Sequence, residues 1–408
     1  MSSLQTTPRA NRLHIALFGI TNAGKSSLIN ALTGQEIALV SAIKGTTTDP
    51  VYKAMELAPW GPVVFIDTAG LDDLSALGKL RKKKTLEVLK KTDIAILVCD
   101  AAVGFNEPEQ DLLIYLQKRR LPFLVVFNKI ELLLQREKSL AKIEKDLGIE
   151  IIATSTVTKE GLLTLKEALI KLAASTKTEQ KLIGDLIEPN EIVVLVVPLD
   201  ESAPQGRLIL PQQQTLRDLL DHQVIGIVTK PEQLKEVLLN LKKPPALIIT
   251  DSQIFSEVGE VVPQDIPLTS FSILFARYKG DLSELLKGVE AIQNLKDGDK
   301  ILIAEACTHH RQADDLGTVK IPHWLQQKTG KKLQFELSSG YSFPENLPEF
   351  ALIIHCAGCM LNRQAMLQRI NQAKEAGMPI VNYGVLIAYL HGILERALEP
   401  FQGNTLSS

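Results

Sequence analysis

One segment near the amino terminus constrains the fold more than any other part of the chain: Gly19-Ile-Thr-Asn-Ala-Gly24-Lys25-Ser26. It follows an apolar run typical of a buried strand (HIALF, 14–18) and precedes a run with the periodicity of an amphipathic helix (SLINALTG, 27–34). Glycines between a strand and a helix let backbone N–H groups surround phosphate oxygens without obstruction from side chains. The segment therefore predicts a phosphate-binding loop (P-loop) in an α/β domain.

The polar residues of this loop have distinct predicted roles. We expect Lys25 to contact the β- and γ-phosphates of a nucleoside triphosphate, and Ser26 to bind Mg²⁺ through its hydroxyl. The other residues that we expect to line the phosphates are Gly19, Asn22, Ala23, Gly24 and Ser27.

Two further short motifs follow in the order that a GTPase requires. Thr47, in Gly-Thr-Thr-Thr-Asp (45–49), is predicted to reach Mg²⁺ and to sense the γ-phosphate. In Asp67-Thr-Ala-Gly70, which ends the apolar run VVFI, the aspartate is predicted to serve Mg²⁺ and the Gly70 N–H the γ-phosphate. Lys25, Thr47, Asp67 and Gly70 are thus the predicted catalytic residues.

Two segments are predicted to contact the base. Asn128-Lys129-Ile-Glu131 ends the apolar run FLVVF, and Ser155-Thr156 follows the next such run. Guanine is normally recognised by an aspartate in Asn-Lys-x-Asp, whereas this chain has Glu131, one methylene longer. The two hydrogen bonds to guanine remain feasible, and the other motifs are of the GTPase type, so GTP or GDP is the expected ligand.

The order of apolar and amphipathic runs predicts an α/β fold with three domains. Short apolar runs alternate with helical patterns, which indicates parallel sheets covered by helices. The predicted boundaries give a GTP-binding domain at 1–178, with a parallel sheet, and two smaller α/β domains at 179–268 and 269–408.

Three of the four cysteines are predicted to form a metal site. Cys307 and the pair Cys356 and Cys359 (Cys-x-x-Cys) each follow an apolar run, so parallel strands would bring them to one edge of a sheet. Cys99 lies inside the apolar run DIAILVCD and is predicted to be a buried structural thiol.

Residue types alone leave the metal open. Three thiolates with one histidine suit a structural Zn²⁺ site, and the same thiolates suit an iron–sulfur cluster with a different fourth ligand. The candidates for that fourth ligand are His309, His310, His355, an acidic residue such as Asp314, or an exchangeable group. A third reading is a redox pair in which Cys356 and Cys359 form a disulfide and no metal binds.

Composition restricts the partners and the compartment. The net charge is −2 and the pI is near 6.4, which gives no support for a nucleic-acid-binding surface. No apolar run reaches the ~18 residues that a membrane span needs. We therefore expect a cytoplasmic protein without nucleic-acid or membrane partners, in a reducing compartment where clustered cysteines favour metal binding.

The amino-terminal motifs resemble those of GTPases related to TrmE and Era, which share Asn-Ala-Gly-Lys-Ser-Ser (22–27) and Gly-Thr-Thr-x-Asp (45–49). In the potassium-activated members, the residue that matches Asn22 helps to bind K⁺ beside the phosphates. The residue after Asp-Thr-Ala-Gly is Leu71, so the glutamine that positions water in Ras-like proteins is absent. The resemblance implies slow, switch-like and potassium-activated GTP hydrolysis.

The combination of such a GTPase with Cys-x-His and His-Cys-x-x-Cys motifs resembles the HydF family of FeFe-hydrogenase maturation GTPases over the whole chain. This resemblance implies a GTPase domain, a dimerisation domain and a cluster domain that carries a 4Fe-4S cluster on Cys307, Cys356 and Cys359. It further implies a scaffold that receives a di-iron precursor made with two radical-SAM maturases and delivers it to apo FeFe-hydrogenase for assembly of the H-cluster. A homodimer or larger homo-oligomer is expected. The alternative is a zinc-stabilised GTPase in RNA modification or ribosome assembly.

Overall fold

The computed structural model describes residues 11–34, 50–71, 84–176, 181–199, 208–306, 315–340, 343–344 and 346–402. The chain divides into two compact units, residues 1–179 and 180–408.

The first unit is built on one sheet of six strands. The strands are β1 (Leu13–Phe18), β2 (Val51–Leu57), β3 (Gly61–Asp67), β4 (Ile94–Asp100), β5 (Phe123–Asn128) and β6 (Ile151–Ala153). Their order across the sheet is β2-β3-β1-β4-β5-β6. The pairing of β2 with β3 is antiparallel and the other pairings are parallel.

Helices cover both faces of this sheet. They are α1 (Lys25–Thr33), α2 (Glu107–Lys118), α3 (Arg136–Leu147) and α4 (Leu162–Thr176). Alternate residues of β1 enter different cores: Ile15 and Leu17 pack with α1 and α4, whereas Ala16 and Phe18 pack with α2. Because both of their faces are buried, the inner strands β1, β3, β4 and β5 are apolar along most of their length, which is what made them recognisable in the sequence.

The second unit contains two parallel sheets of four strands each. The first comprises β7 (Ile192–Val196), β8 (Ile225–Thr229), β9 (Leu247–Thr250) and β10 (Leu268–Ser270), in the order β10-β9-β7-β8. The second comprises β11 (Lys300–Glu305), β12 (Gln334–Ser339), β13 (Leu352–His355) and β14 (Ile380–Asn382), in the order β12-β11-β13-β14.

Nine α-helices are described in this unit. They are α5 (Leu210–Asp221), α6 (Leu234–Asn240), α7 (Phe255–Val261), α8 (Phe271–Lys279), α9 (Leu282–Glu290), α10 (Ile321–Thr329), α11 (Arg363–Glu375), α12 (Tyr383–Leu390) and α13 (Leu394–Leu398). A short π-helix, Leu316–Lys320, leads into α10.

One continuous hydrophobic core joins the two sheets of the second unit. Helix α8 lies at the junction, because it contacts α5 beside the first sheet and both α11 and α12 beside the second. Most of its residues are buried, which is expected for a helix packed on several sides. The strand β10 pairs with β9, so the first sheet continues past the predicted domain boundary at residue 268. The three-domain division itself stays a prediction.

The predicted fold class, a P-loop domain with a parallel sheet followed by further α/β domains, is confirmed. Two strands were not foreseen. The edge strand β2 alternates exposed and buried residues and lacks a long apolar run. The strand β10 has only three residues and lies at the end of a Pro-containing stretch, residues 261–270.

Candidate functional site

The P-loop connects the end of β1 to the first residue of α1, as predicted. Gly24 has φ 94° and ψ 22°, in the left-handed region that glycine adopts most readily. A Cβ atom on Gly24 would lie 2.2 Å from Asn128 Nδ2, and one on Gly19 would lie 2.0 Å from the Val98 carbonyl oxygen. Neither glycine can therefore carry a side chain without displacing its neighbours.

Lys25 is buried at the start of α1, where its ammonium bridges the loop. Its Nζ donates to the carbonyl oxygens of Gly19, at 2.9 Å, and Ile20, at 2.8 Å. A phosphate oxygen is a stronger acceptor than a carbonyl for the same donor. The ammonium is thus held inside the loop by contacts that phosphate groups can replace.

Ser26 and Asp67 meet at the first turn of α1. The Ser26 hydroxyl donates to Asp67 Oδ2 at 2.5 Å, while Asp67 Oδ1 is buried and has no hydrogen-bond partner among the described residues. Burial raises the pKa of Asp67, and the contact with Ser26 and the charges of Lys25 and Lys53 oppose that shift. A buried oxygen without a partner beside a hydroxyl is a donor set that Mg²⁺ favours, so these residues fit the cation.

The Asp-Thr-Ala-Gly segment closes on the P-loop from the other side. The Leu71 N–H donates to the Gly19 carbonyl at 3.1 Å, and the Thr68 hydroxyl donates to the Leu17 carbonyl at 2.5 Å. Gly70 therefore lies between two residues that are tied to the loop or to the strand before it.

Asn128, at the end of β5, links the base-binding end of the domain to the P-loop. The side chain is fully buried; its Nδ2 donates to the Ala23 carbonyl at 3.2 Å, and its Oδ1 accepts from the Thr154 hydroxyl at 3.3 Å. The residue thus fixes the distance between the phosphate loop and the loop after β6.

The next residue, Lys129, has a partner that the sequence did not indicate. Its Nζ forms an ion pair with Asp100 Oδ2 at 2.6 Å, and Asp100 ends the neighbouring strand β4. Glu131 is exposed in the short 3₁₀ helix Ile130–Leu132 that follows. Ser155 is buried and its hydroxyl accepts the Thr158 N–H at 3.0 Å. An acidic residue at a strand terminus was the available signal for Asp100.

The remaining predicted residues of this site divide into two groups. Asn22 is exposed with φ 65°, Ser27 is part of α1, and Thr156 follows Ser155 in the loop after β6. Thr47 lies outside the described residues, so its predicted contact with Mg²⁺ stays a prediction.

The cysteine motif follows β13, at the carboxyl edge of the second sheet of the second unit. Strand β13 lies directly beside β11, with Ala304 opposite His355. Cys356 and Cys359 are not joined to each other by a disulfide. Cys99, in contrast, is fully buried in β4, as predicted for a structural thiol.

The Cys356 sulfur receives a hydrogen bond from the neighbouring strand's end. The Ala306 N–H donates to Cys356 Sγ at 3.1 Å, and the Gly358 N–H also favours the thiolate. Burial raises the pKa of Cys356 to about 11, while these two N–H groups act in the opposite direction. Ala306 is the residue before Cys307, so the last described residue ahead of Cys307 lies beside the sulfur of Cys356.

His355 is completely buried, and both of its ring nitrogens have partners. Arg369 Nη1 lies 2.8 Å from Nε2, and Nδ1 lies 2.6 Å from the Cys356 carbonyl. Because a guanidinium only donates, Nε2 is assigned as the acceptor and Nδ1 as the protonated nitrogen. Burial and the Arg369 charge lower the pKa of His355 to about 3. In this arrangement the ring supports the backbone of Cys356.

Lys279, the last residue of α8, contacts the loop that contains Cys356 and Cys359. Its Nζ donates to the carbonyls of Cys359, at 3.0 Å, and Leu361, at 2.9 Å. Burial lowers the pKa of Lys279 to about 8, and the nearby Cys359 opposes that shift. No sequence motif indicated this residue.

Four predicted metal-site residues, Cys307, His309, His310 and Asp314, lie outside the described residues, so their roles stay predictions. Two thiols, one of which accepts N–H groups, fit a cysteine-ligated metal site, whether an iron–sulfur cluster or Zn²⁺. No helix in the described ranges has the length and apolar character that a membrane span requires.

Comparison with known families assigns each part of the chain. Residues 14–129 match the model of the 50S ribosome-binding GTPase family. Residues 182–280 match the hydrogen maturase F dimerization domain, and residues 283–400 match the hydrogen maturase F tetramerization domain. The last two stretches together make up more than half of the 408 residues.

Curated relatives share the GTPase part. GTPase Der of Maridesulfovibrio salexigens is 34% identical over 181 residues, which cover 42% of this chain and 39% of that protein. The tRNA modification GTPase MnmE of Nitrosomonas europaea is 35% identical over 235 residues, covering 55% and 51%. The chain therefore spans about two-fifths to one-half of the length of these relatives.

Solved structures of GTPases are similar to part of the chain. A variant of Era from Aquifex aeolicus, bound to GDP.AlF4⁻, matches with 19% identity and a TM-score of 0.36, over 53% of this chain and 92% of that chain. The G domain of T. maritima FeoB matches with 26% identity and a TM-score of 0.30, over 40% and 99%. With a GTPase domain followed by both hydrogen maturase F domains, the chain belongs to the hydrogen maturase F (HydF) family.

Proposed function

We propose that the protein is a GTP-hydrolysing scaffold that holds a 4Fe-4S cluster on Cys307, Cys356 and Cys359. In this proposal it receives a di-iron precursor made with two radical-SAM maturases and delivers it to apo FeFe-hydrogenase. The observation that carries the proposal is the hydrogen bond from the Ala306 N–H to the Cys356 sulfur. It places Ala306, the residue before Cys307, beside the Cys-x-x-Cys loop. The candidates for the fourth position of the cluster are His309, His310, His355, Asp314 and an exchangeable ligand.

His355 would need to give up a hydrogen bond in order to act as that fourth ligand. Its Nε2 faces Arg369 and its Nδ1 faces the Cys356 carbonyl. In this proposal the fourth ligand is therefore His309, His310, Asp314 or an exchangeable group, and His355 holds the loop. A weakly held fourth ligand suits a site that accepts and releases another metal fragment.

In the proposed hydrolysis, the chain's own groups bind and polarise the triphosphate. Lys25 exchanges the carbonyls of Gly19 and Ile20 for β- and γ-phosphate oxygens, and Gly70 offers its N–H to the γ-phosphate. Ser26, Asp67 and Thr47 would hold Mg²⁺, which neutralises charge on the phosphates when it is bound. Asn22 would help to bind K⁺ beside them.

Asn128, Lys129 and Glu131, with Ser155 and Thr156, would bind the guanine base. Slow turnover follows from Leu71 in place of a water-positioning glutamine. We propose that the nucleotide state acts on partner docking through the segments around Thr47 and Gly70. Rates of partner release that are identical with GTP, with GDP and without nucleotide would contradict this coupling.

The experiment that tests the cluster proposal is anaerobic reconstitution with iron and sulfide, followed by elemental analysis and EPR of the reduced protein. The wild type is compared with Cys356→Ala and, as a matched control, with Cys99→Ala, whose thiol is buried in β4. About four irons and four sulfides per chain are expected in the wild type and the control, with loss of the EPR signal in Cys356→Ala. Stoichiometric zinc without a reduced-state signal would instead favour the zinc-stabilised, RNA-associated GTPase.

A further inference from the structure

The cysteine loop, residues 356–361, is held by a buried lysine from a distant part of the chain. Lys279 is 3% exposed and is separated by 80 residues from Cys359, the first of its two carbonyl partners. The Nζ also lies 5.4 Å from the centre of the Phe275 ring. The ammonium therefore touches the loop and lies near an aromatic ring of its own helix.

This cation has no carboxylate partner in the described part of the chain. No ion pair within 4.0 Å of its Nζ is found there, and the only nearby charge that favours its protonated form belongs to Cys359. Removing an ammonium from water has a large free-energy cost unless an opposite charge and hydrogen bonds compensate. Two carbonyl oxygens supply hydrogen bonds but no net charge, so among the described residues the compensating charge is that of the Cys359 thiolate, and an anionic group bound by the cysteine loop would add to it.

We propose that Lys279 is the positioning residue and counter-charge of the anionic cluster held by the cysteine loop. This inference rests on the proposed function, in which the cysteines carry an iron–sulfur cluster. Three thiolates around a four-iron core leave a net negative charge, and reduction by one electron increases it by one unit. A cation fixed at the loop stabilises the reduced state more than the oxidised state and so raises the reduction potential.

The other buried cation near the loop acts through a different route. Arg369 contacts the His355 ring and the Gly340 carbonyl, and the ring in turn contacts the Cys356 carbonyl. Lys279 touches the loop itself, at the carbonyl of a predicted cluster ligand and at that of Leu361. Its charge is therefore the one expected to have the larger direct effect on the cluster.

The test separates the charge of Lys279 from its hydrogen bonds. Lys279→Gln keeps two N–H donors and removes the charge, whereas Lys279→Arg keeps the charge. Lys287→Gln is the control, because Lys287 is an exposed residue of α9 paired with Glu284. Each full-length protein is reconstituted without oxygen, and iron content and the midpoint potential from an EPR-monitored titration are measured.

We expect Lys279→Gln to retain iron and to lower the reduction equilibrium constant about tenfold, which is about 59 mV for one electron. Lys279→Arg and Lys287→Gln should stay near the wild-type potential. If Lys279→Gln instead loses iron while Lys279→Arg keeps it, the counter-charge is equally supported. An unchanged potential in an iron-loaded Lys279→Gln protein would overturn the inference, as would loss of iron in both Lys279 variants. Absence of iron in the wild type would refute the proposed function itself.

Discussion

Replacing Gly24 by alanine should weaken nucleotide binding by a factor that can be worked out from the P-loop geometry. A non-glycine residue in the left-handed conformation of Gly24 costs about 1–2 kcal/mol. The new Cβ would also lie 2.2 Å from Asn128 Nδ2 and displace its hydrogen bond to the Ala23 carbonyl, which contributes about 0.5–1.5 kcal/mol. The combined penalty is about 1.5–3.5 kcal/mol.

That penalty appears in the affinity because the loop can relieve the strain when no nucleotide is bound. Binding then has to restore the strained conformation. At about 1.4 kcal/mol for each factor of ten, the dissociation constant for GDP should rise roughly 10- to 300-fold in Gly24→Ala. A fluorescent GDP analogue titrated into wild type and variant measures this change directly, with circular dichroism as the check on folding.

Gly148→Ala is the matched control for this prediction. Gly148 has a similar left-handed conformation at the end of α3, but a Cβ there meets no atom within 4 Å. It should lose stability by about 1 kcal/mol and keep its affinity for GDP. The reasoning is refuted if Gly24→Ala binds GDP within about threefold of the wild type, or if Gly148→Ala loses affinity to the same extent.

Three more predictions concern the same domain. Glu131→Asp restores the shorter carboxylate that normally recognises guanine. In a competition assay it should raise several-fold the preference for GDP over IDP, which lacks the guanine amino group. An unchanged preference would place Glu131 away from the base. Ser26→Ala removes the hydroxyl that donates to Asp67 Oδ2, so its affinity for GDP should fall about tenfold with Mg²⁺ present and stay unchanged in EDTA; equal losses in both buffers would exclude a metal-linked role. Glu109 Oε2 accepts the Asn106 N–H at 2.9 Å, and burial raises the pKa of this carboxyl group in the folded protein. The folded state therefore favours protonated Glu109 more than the unfolded state does, and this contribution to the free energy of unfolding is lost as the pH rises through the raised pKa. Glu109→Gln keeps the acceptor and should therefore melt a few degrees higher than the wild type at about pH 8 but not at about pH 4, and an equal difference at both values would contradict this assignment.

Much of the fold was predictable because the sheets are parallel and covered by helices. β1, β4 and β5 consist of continuous apolar runs, since both of their faces are buried. The strand β2 escaped prediction because it is an edge strand with alternating exposure, and its antiparallel pairing depends on β3. Local sequence carries no information about which strand an edge segment will join.

The candidate sites were predictable to the extent that their residues form local motifs. The order of Gly19–Ser26, Asp67–Gly70 and Asn128–Glu131 along the chain placed each motif at a strand terminus, where the structure has them. The contacts of Lys279 and Arg369 were not predictable, because Lys279 reaches the cysteine loop and Arg369 reaches His355 from separate helices that carry no motif. Asp100, the partner of Lys129, also lies outside the motifs, and its place at the end of β4 was the available signal in the sequence.

Maturation of apo FeFe-hydrogenase tests the central claim most directly. The protein is first loaded in the presence of the two radical-SAM maturases, then purified and mixed with the apo-enzyme, and hydrogen evolution is measured. Wild type and Cys99→Ala should activate the hydrogenase, whereas Cys356→Ala, which lacks the thiol that accepts the Ala306 N–H, should not. Activation by Cys356→Ala at the wild-type level would contradict the account, because it would show that delivery does not depend on the cysteine loop.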